Sequence, residues 1–313
     1  MKKDFGNKSP ETRIGSGLSG TTSTPSVTGT AVSAHRDNFD QAEFDLFRQF
    51  LQDACGIALG DNKQYLVSNR IRRLLEEHKL HSFSDLVRAL KQNTNRKLRD
   101  QVIDAMTTNE TFWFRDIYPY EHLRTQLLPQ LMGGNNKMFG PIRIWSAACS
   151  SGQEPYSISM MVEEYRRQNM GALPRPVQIV ATDVSATILD QARKAEYDRL
   201  SVLRGLSDER LQRYFDKASD NVWRVKPLVR ERVEFKAWNL MDSYAMLGKF
   251  DIVFCRNVLI YFNAELKRQI LQKIHASLKP KGILFLGSSE GLAGAADLFE
   301  MVRCEPGILY RAV

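Results

Sequence analysis

Cysteine is scarce and scattered. The four residues, Cys55, Cys149, Cys255 and Cys304, form no CxxC pair and no regular spacing. That removes a disulfide framework and leaves free thiols, so a reducing, cytoplasmic setting is expected. Histidine is as sparse. Of five, only His78 and His81 stand close together, at a spacing that suits a wet helix end better than a zinc site, so no metal is expected. No apolar run approaches the roughly 18 to 20 residues that a membrane span needs. Met1-Lys2-Lys3 leads into polar residues, so neither a secretory signal nor membrane insertion is expected. The strand-to-helix loop at 143–157 carries neither a Gly-Lys-Ser/Thr phosphate loop nor a GxGxxG fingerprint, for it has one Gly. What remains is ordinary for a globular chain: 313 residues, 43% apolar and 26% charged, enough for one large domain or two ordinary ones. Lys and Arg outnumber Asp and Glu, 44 to 36, and the net charge of +8 favours an acidic partner of unstated kind.

Composition divides the chain. Residues 1–37 are rich in Ser, Thr and Gly with one aromatic, Phe5. They cannot bury enough apolar surface to offset their ordering entropy, and a disordered tail is expected. From about Asp40, Phe44, Phe47, Phe50, Leu51 and Ala54 recur at helical spacing, with Gly56 as a stop. A second helix is predicted over Lys63–Lys79, turning Val67, Ile71, Leu74 and Leu75 inward and Lys63, Arg70 and Arg73 to another face. Two more are predicted, from Ser82 or Ser84 through Leu90 and from Asn95 to Met106. Between Gly60 and Asp100 ten Lys/Arg face five Asp/Glu, so 38–106 reads as a basic helical N-terminal domain.

After Pro141 the period changes. Short apolar runs at Ile142–Trp145, Val177–Thr182, Val233–Phe235, Phe250–Cys255 and Gly282–Leu286 alternate with helical segments, the mark of a doubly wound α/β sheet. Glu300–Cys304 and Gly307–Arg311, split by the turn at Glu305-Pro306-Gly307, predict an antiparallel hairpin closing that sheet. A small β insertion is expected at about 214–235, where Trp223, Val225 and Val229 alternate.

Four segments carry chemistry. In RIWSAACSSGQEPYS (143–157) a strand runs into a loop of small residues and then into a helix with Pro155 in its first turn. Glu154 sits where a pyrophosphate would otherwise bind, which favours a cationic ligand without phosphate, such as S-adenosylmethionine. Asp183 closes IVATD at the tip of the second strand, placed to accept from both ribose hydroxyls. Together they favour a methyltransferase-like fold over a dehydrogenase. In FDIVFCRNVLIYF (250–262), Arg256, Asn257 and Tyr261 follow the fourth strand. They offer donors for an anionic acceptor, where methylation of exocyclic amines calls for Asp/Asn-Pro-Pro-aromatic. TTNETFWFRD (107–116) joins the two halves and anchors Arg115 beside packed aromatics.

TTNETFWFRD, SAACSSGQEPYSISM, IVATD, WNL at 238–240, FCRNVLIYF and LGSSEGL stand in an order and spacing that resemble CheR-type chemotaxis receptor methyltransferases, over about residues 40–313. The resemblance implies a Rossmann-like class I methyltransferase fold over 126–313, with its β insertion, after an all-α domain and a linker, 107–125, that contributes to the cofactor site. It implies transfer of a methyl from S-adenosylmethionine, leaving S-adenosylhomocysteine, to glutamate side chains in chemoreceptor cytoplasmic helices, as in sensory adaptation. Position by position, it makes Asn109, Thr111 and Arg115 cofactor contacts. Glu154 then serves the amino-acid end and Asp183 the ribose. Asn239-Leu240 flank the adenine, and Arg256-Asn257 lie under the methionine part. Arg115 and Tyr261 become the residues nearest the transferred methyl. Receptor methylation helices are acidic, and Lys63, Arg70, Arg72 and Arg73 could steer them. Relatives that tether to a receptor's C-terminal pentapeptide carry a longer β insertion than Lys217 to Trp223 provides, so direct docking is expected instead. A monomer is expected. A nucleic-acid methyltransferase is disfavoured by the missing Pro-Pro motif, and nucleic acid is not an expected partner. A non-catalytic scaffold is disfavoured by the intact Arg115, Glu154, Asp183, Asn257 and Tyr261.

Overall fold

The computed structural model describes residues 40–92, 95–133, 140–170 and 173–313; the tail expected over 1–37 lies outside them. Helix α1 (Gln41–Cys55) opens on a capping box, the Asp40 carboxylate accepting from the Glu43 amide and the Glu43 carboxylate from the Asp40 amide. It ends at Gly56 (φ 78°), where a Cβ would stand 2.5 Å from a Leu266 methyl. Helix α2 (Gln64–Glu77) follows a 3-10 turn, so Lys63 precedes the helix it was expected to begin. Ser82 caps α3 (Phe83–Lys91) and Asn95 caps α4 (Arg96–Met106). Phe44, Phe47, Leu51, Val67, Ile71, Leu86 and Val102 close a core of their own.

The chain then enters α5 (Tyr118–His122), passes a π turn at Leu123–Leu127 and continues as α6 (Leu128–Gly133). Among the described residues ten strands follow: β1 (Ile142–Ala147), β2 (Val177–Asp183), β3 (Glu196–Asp198), β4 (Phe215–Ser219), β5 (Val222–Val225), β6 (Val233–Ala237), β7 (Phe250–Cys255), β8 (Leu278–Leu286), β9 (Phe299–Cys304) and β10 (Gly307–Ala312). Seven form one sheet in the order β6-β2-β1-β7-β8-β10-β9. It is parallel through β8, and β10 and β9 run antiparallel, as the predicted hairpin requires. Helices α7 (Gln153–Gln168) and α8 (Ala186–Lys194) follow β1 and β2. Three short ones, α9 (Arg199–Leu203), α10 (Asp208–Tyr214) and α11 (Pro227–Arg230), thread the insertion, and α12 (Ala264–Ser277) follows β7. Alternate strand residues fill two cores: Ile142, Ile144, Ile252 and Phe254 on one face, Trp145, Ala147, Val253 and Cys255 on the other.

The insertion departs from its expected bounds. Its three-stranded sheet runs β3-β5-β4, so it draws in Glu196–Asp198, while Val233–Ala237 pairs with β2 as the edge of the main sheet. The chain leaves β1 toward β2 and β6, then crosses back to β7. The carboxyl ends of β1 and β7 therefore mark the switch point at which open α/β sheets bind ligands.

Candidate active site

The loop after β1 makes three left-handed turns, at Ala148 (φ 57°), Ser150 (φ 50°) and Gly152 (φ 97°). They aim the Ser150 amide at Asp183 Oδ2, 2.9 Å away, while Asp183 Oδ1 accepts from the Ser185 amide at 3.0 Å. Gly152 is needed for its φ and for room, since a Cβ there would lie 3.1 Å from Tyr156 and the Tyr197 hydroxyl. In the first turn of α7, Glu154 accepts from the Ser146 hydroxyl (2.8 Å) and from Arg256 (3.1 Å). Burial raises both carboxyls above their usual range. Arg256 and Ser146 oppose the shift at Glu154; the amides of Ser185, Ser150 and Val184 oppose it at Asp183.

Arg256 organises the floor. Its side chain is 1% exposed. One terminal nitrogen donates to Asp116 and to the Arg115 carbonyl, both at 2.7 Å; the other donates to Glu154 and, at 3.3 Å, to the Tyr120 hydroxyl. A single guanidinium thus joins the linker, α5 and α7, and its terminal nitrogens are engaged by protein partners although the side chain lines the cleft. Next to it Asn257 takes a left-handed backbone (φ 59°), and Tyr261 reaches the same cleft.

The linker arrives from the other side. Arg115 lies 5.4 Å from the Phe112 ring centre and Arg204 4.7 Å from it; Arg204 also pairs with Glu110 at 3.0 Å. Trp113 and Phe114 are buried. Trp113 packs edge-on to Tyr197 and Phe215, and Phe114 carries Arg210 at 4.0 Å over its ring. Phe114 (φ 51°), Asp116 (φ 62°) and Ile117 (φ 29°) hold strained backbone, at about 1–3 kcal/mol each. The aromatic anchors and the Asp116–Arg256 pair fix it. The Asn109 carbonyl accepts from Ser150 Oγ at 3.0 Å, which pins linker to β1 loop.

The N-terminal module supplies the last wall. The Asn239 side chain donates to the Ala54 carbonyl (2.8 Å) and the Ala58 amide to the Tyr261 carbonyl (2.9 Å). Arg70 turns toward the linker, donating to the carbonyls of Met106 (2.9 Å) and Thr107 (3.2 Å) and to Thr108 Oγ1 (3.3 Å), so it caps α4. Of the four expected docking residues, Lys63 and Arg70 line the cleft; Arg72 and Arg73 lie on the exposed outside of α2, where Arg73 pairs with Glu77.

The cleft so enclosed has a volume of about 350 Å³ and gathers Asn109, Thr111, Arg115, Glu154, Asp183, Asn239, Leu240, Arg256, Asn257 and Tyr261. That size falls in the range of small-molecule pockets, roughly 300–1,000 Å³. S-adenosylmethionine fits the chemistry of the lining. The Glu154 carboxylate suits an ammonium, Asp183 offers acceptors to a diol, and Val184, Trp238, Leu240 and Phe262 give apolar walls for a flat base. Cys55 and Cys149 also reach the cleft, but burial pushes the Cys55 thiol up to about 11 and Cys149 well above the ordinary thiol, which makes both poor nucleophiles. Asp116, Tyr120 and Glu290 escaped the sequence reading. Asp116 and Glu290 lay inside quoted motifs, at the end of TTNETFWFRD and within LGSSEGL, without being singled out; Tyr120 lay in none.

Two family models match this chain: "CheR methyltransferase, SAM binding domain" over residues 109–308 and "CheR methyltransferase, all-alpha domain" over residues 42–107. Among similar proteins is the chemotaxis protein methyltransferase 1 of Pseudomonas aeruginosa, 58% identical over 271 residues, covering 87% of this chain and 98% of the relative. Chemotaxis protein methyltransferase Cher2 of Pseudomonas putida is 56% identical over 270 residues, 86% of this chain and 98% of the relative. The chemotaxis protein methyltransferase of Escherichia coli is 33% identical over 256 residues, 80% of this chain and 85% of the relative. The two family models meet within the linker that forms one wall of the cleft, and the chain belongs to the CheR family of S-adenosylmethionine-dependent methyltransferases.

Proposed function

We propose that this chain methylates glutamate side chains in the cytoplasmic helices of chemoreceptors, forming glutamyl methyl esters. The observation that carries the reading is the pairing of two sides in one cleft: two acids, the buried Asp183 and the half-buried Glu154, on the cofactor side, and Arg115 with Tyr261 on the other. Bound S-adenosylmethionine supplies a methyl activated by its sulfonium. A glutamate side chain, with an ordinary pKa of about 4.3, is already an anion near pH 7 and needs no general base. The residues therefore bind, orient and exclude water. Arg115 and Tyr261 hold the incoming carboxylate in line, and Glu154 and Asp183 fix the cofactor behind it. Charge complementarity supports direct docking of an acidic helix on the outer face of α2, beside Lys63 and Arg70 at the cleft. Cytoplasmic placement is part of the proposal; among the described residues no helix is long and apolar enough to cross a membrane.

Methyl-labelled S-adenosylmethionine with receptor-bearing membranes tests it. Carboxyl methyl esters release volatile labelled methanol in mild alkali. Label that resists alkali means a different acceptor atom. Tyr261→Phe that leaves transfer untouched removes Tyr261 from the mechanism.

A further inference from the structure

The bend between β7 and α12 carries Asn257 and Tyr261, yet what holds it comes from a different loop. Glu290, in the segment after β8, places one carboxylate against both. Its Oε2 accepts from the amides of Asn257 (2.7 Å) and Gly287 (2.8 Å), and its Oε1 accepts from the amide of Ile260 (3.3 Å). Charge-assisted bonds of this kind are about twice as strong as neutral ones. Among the described residues no ion pair meets this charge; three amides do. The two loops are pressed together there. A Cβ on Gly287 would stand 2.7 Å from Asn257 Nδ2 and 2.7 Å from Glu290 Oε2, so a larger residue there would displace both side-chain ends. Asn257 takes a left-handed backbone (φ 59°), which asparagine tolerates better than most residues, and its amide is held there by Glu290. Glu290 itself does not line the cleft.

We infer that Glu290 is a positioning residue for methyl transfer: by gathering the amides of Asn257, Ile260 and Gly287 it sets the 256–261 bend, and with it the aim of Asn257 and Tyr261. The inference rests on the reading that those two residues face cofactor and acceptor. The geometry also ranks the substitutions. Glu290→Ala removes all three acceptor contacts. Glu290→Gln keeps an oxygen for the Asn257 and Gly287 amides but turns an NH₂ toward Ile260, so its effect is smaller.

The test uses the full chain and three readouts: amide hydrogen exchange over 256–261 and at 287, S-adenosylhomocysteine affinity, and kcat with KM on receptor membranes. In Glu290→Ala, exchange in the bend should quicken at least tenfold, kcat should fall by about 10- to 100-fold, as a misplacement of an ångström or so does, and homocysteine-product affinity should weaken. KM for the receptor should stay within about threefold, because the α2 face is untouched, and Glu290→Gln should fall between wild type and Ala. Should the Ala variant fail to fold, the Gln variant carries the same comparison. Unchanged exchange overturns the inference, and so does faster exchange with wild-type kcat and affinity. Affinity for the product is independent of the acceptor. Faster exchange with weaker product binding therefore supports Glu290 even if the labelling experiment assigns methyl transfer to another acceptor.

Discussion

Glu154 and Asp183 are acids that folding makes harder to ionise, and this gives the site a pH signature. Their carboxyls are raised by burial, so as pH falls the folded protein takes up their protons earlier than free side chains would. Burying the charged forms costs stability above that range, and the cost is relieved as pH falls through the raised values. With Glu154 holding the cofactor's ammonium, as proposed, ligand binding moves the opposite way, since that contact needs the carboxylate ionised. Affinity for S-adenosylhomocysteine should therefore decline with acidification from above the usual glutamate range. Glu154→Gln should flatten that decline and cost about 1.5–3 kcal/mol, roughly 10- to 150-fold in affinity at neutral pH. Calorimetric titration across a pH series reads both. Arg256 makes a sharper case. Arg256→Met leaves Asp116 and Glu154, both partly buried, without their shared cation, and stranding them should cost less than the about 3–5 kcal/mol of a fully buried pair; urea unfolding should show it. Arg256→Lys should rescue little, because one ammonium cannot span the four partners that the planar fork reaches.

Elements explain what could be read beforehand. Helices α1, α3 and α4 are written locally, in Asp40, Ser82 and Asn95 as caps and in apolar repeats, and the structure places them within a residue or two of expectation. Strands β1, β2 and β7 are buried on both faces, so their apolar runs were visible. Strand β3 was not: three residues, Glu196-Tyr197-Asp198, have no pattern of their own and become a strand only against Val222–Arg224. The polar start of β8, Lys279-Pro280-Lys281, hid its first turn for the same reason. The candidate residues that line the cleft were legible as motifs, whereas the roles of Arg70 as a cap and Arg256 as a hub depend on partners 36 to 141 residues away. The linker has one more distant support. Gly205 (φ 99°) passes so close that a Cβ would lie 2.0 Å from the Trp113 carbonyl oxygen. Gly205→Ala should cost more than the about 1–3 kcal/mol of its backbone strain and weaken product binding by pushing Trp113. An unfolding midpoint equal to wild type would remove that support.

At the scale of the whole molecule, one cleft is built by two modules, and docking and cofactor binding should separate by charge. Reversing Arg72 and Arg73 together should lower kcat/KM on receptor membranes and flatten its decline with salt, since steering fades as the Debye length shrinks from about 10 Å at 0.1 M. Product affinity should stay put, because neither residue lines the cleft. An unaltered rate and salt slope would exclude that face as the dock. The same two-module construction decides how the protein can be recombined with its relatives. The Ala54 carbonyl, in the last turn of α1, is bonded to Asn239, and the Ala58 amide, just past it, to the Tyr261 carbonyl, so the end of α1 is a seam stitched to two segments of the cleft. A chimera meant to exchange receptor preference by swapping the helical module therefore also replaces part of the cofactor wall. Its two halves should be chosen for a shared seam before any helix face is matched to a new receptor.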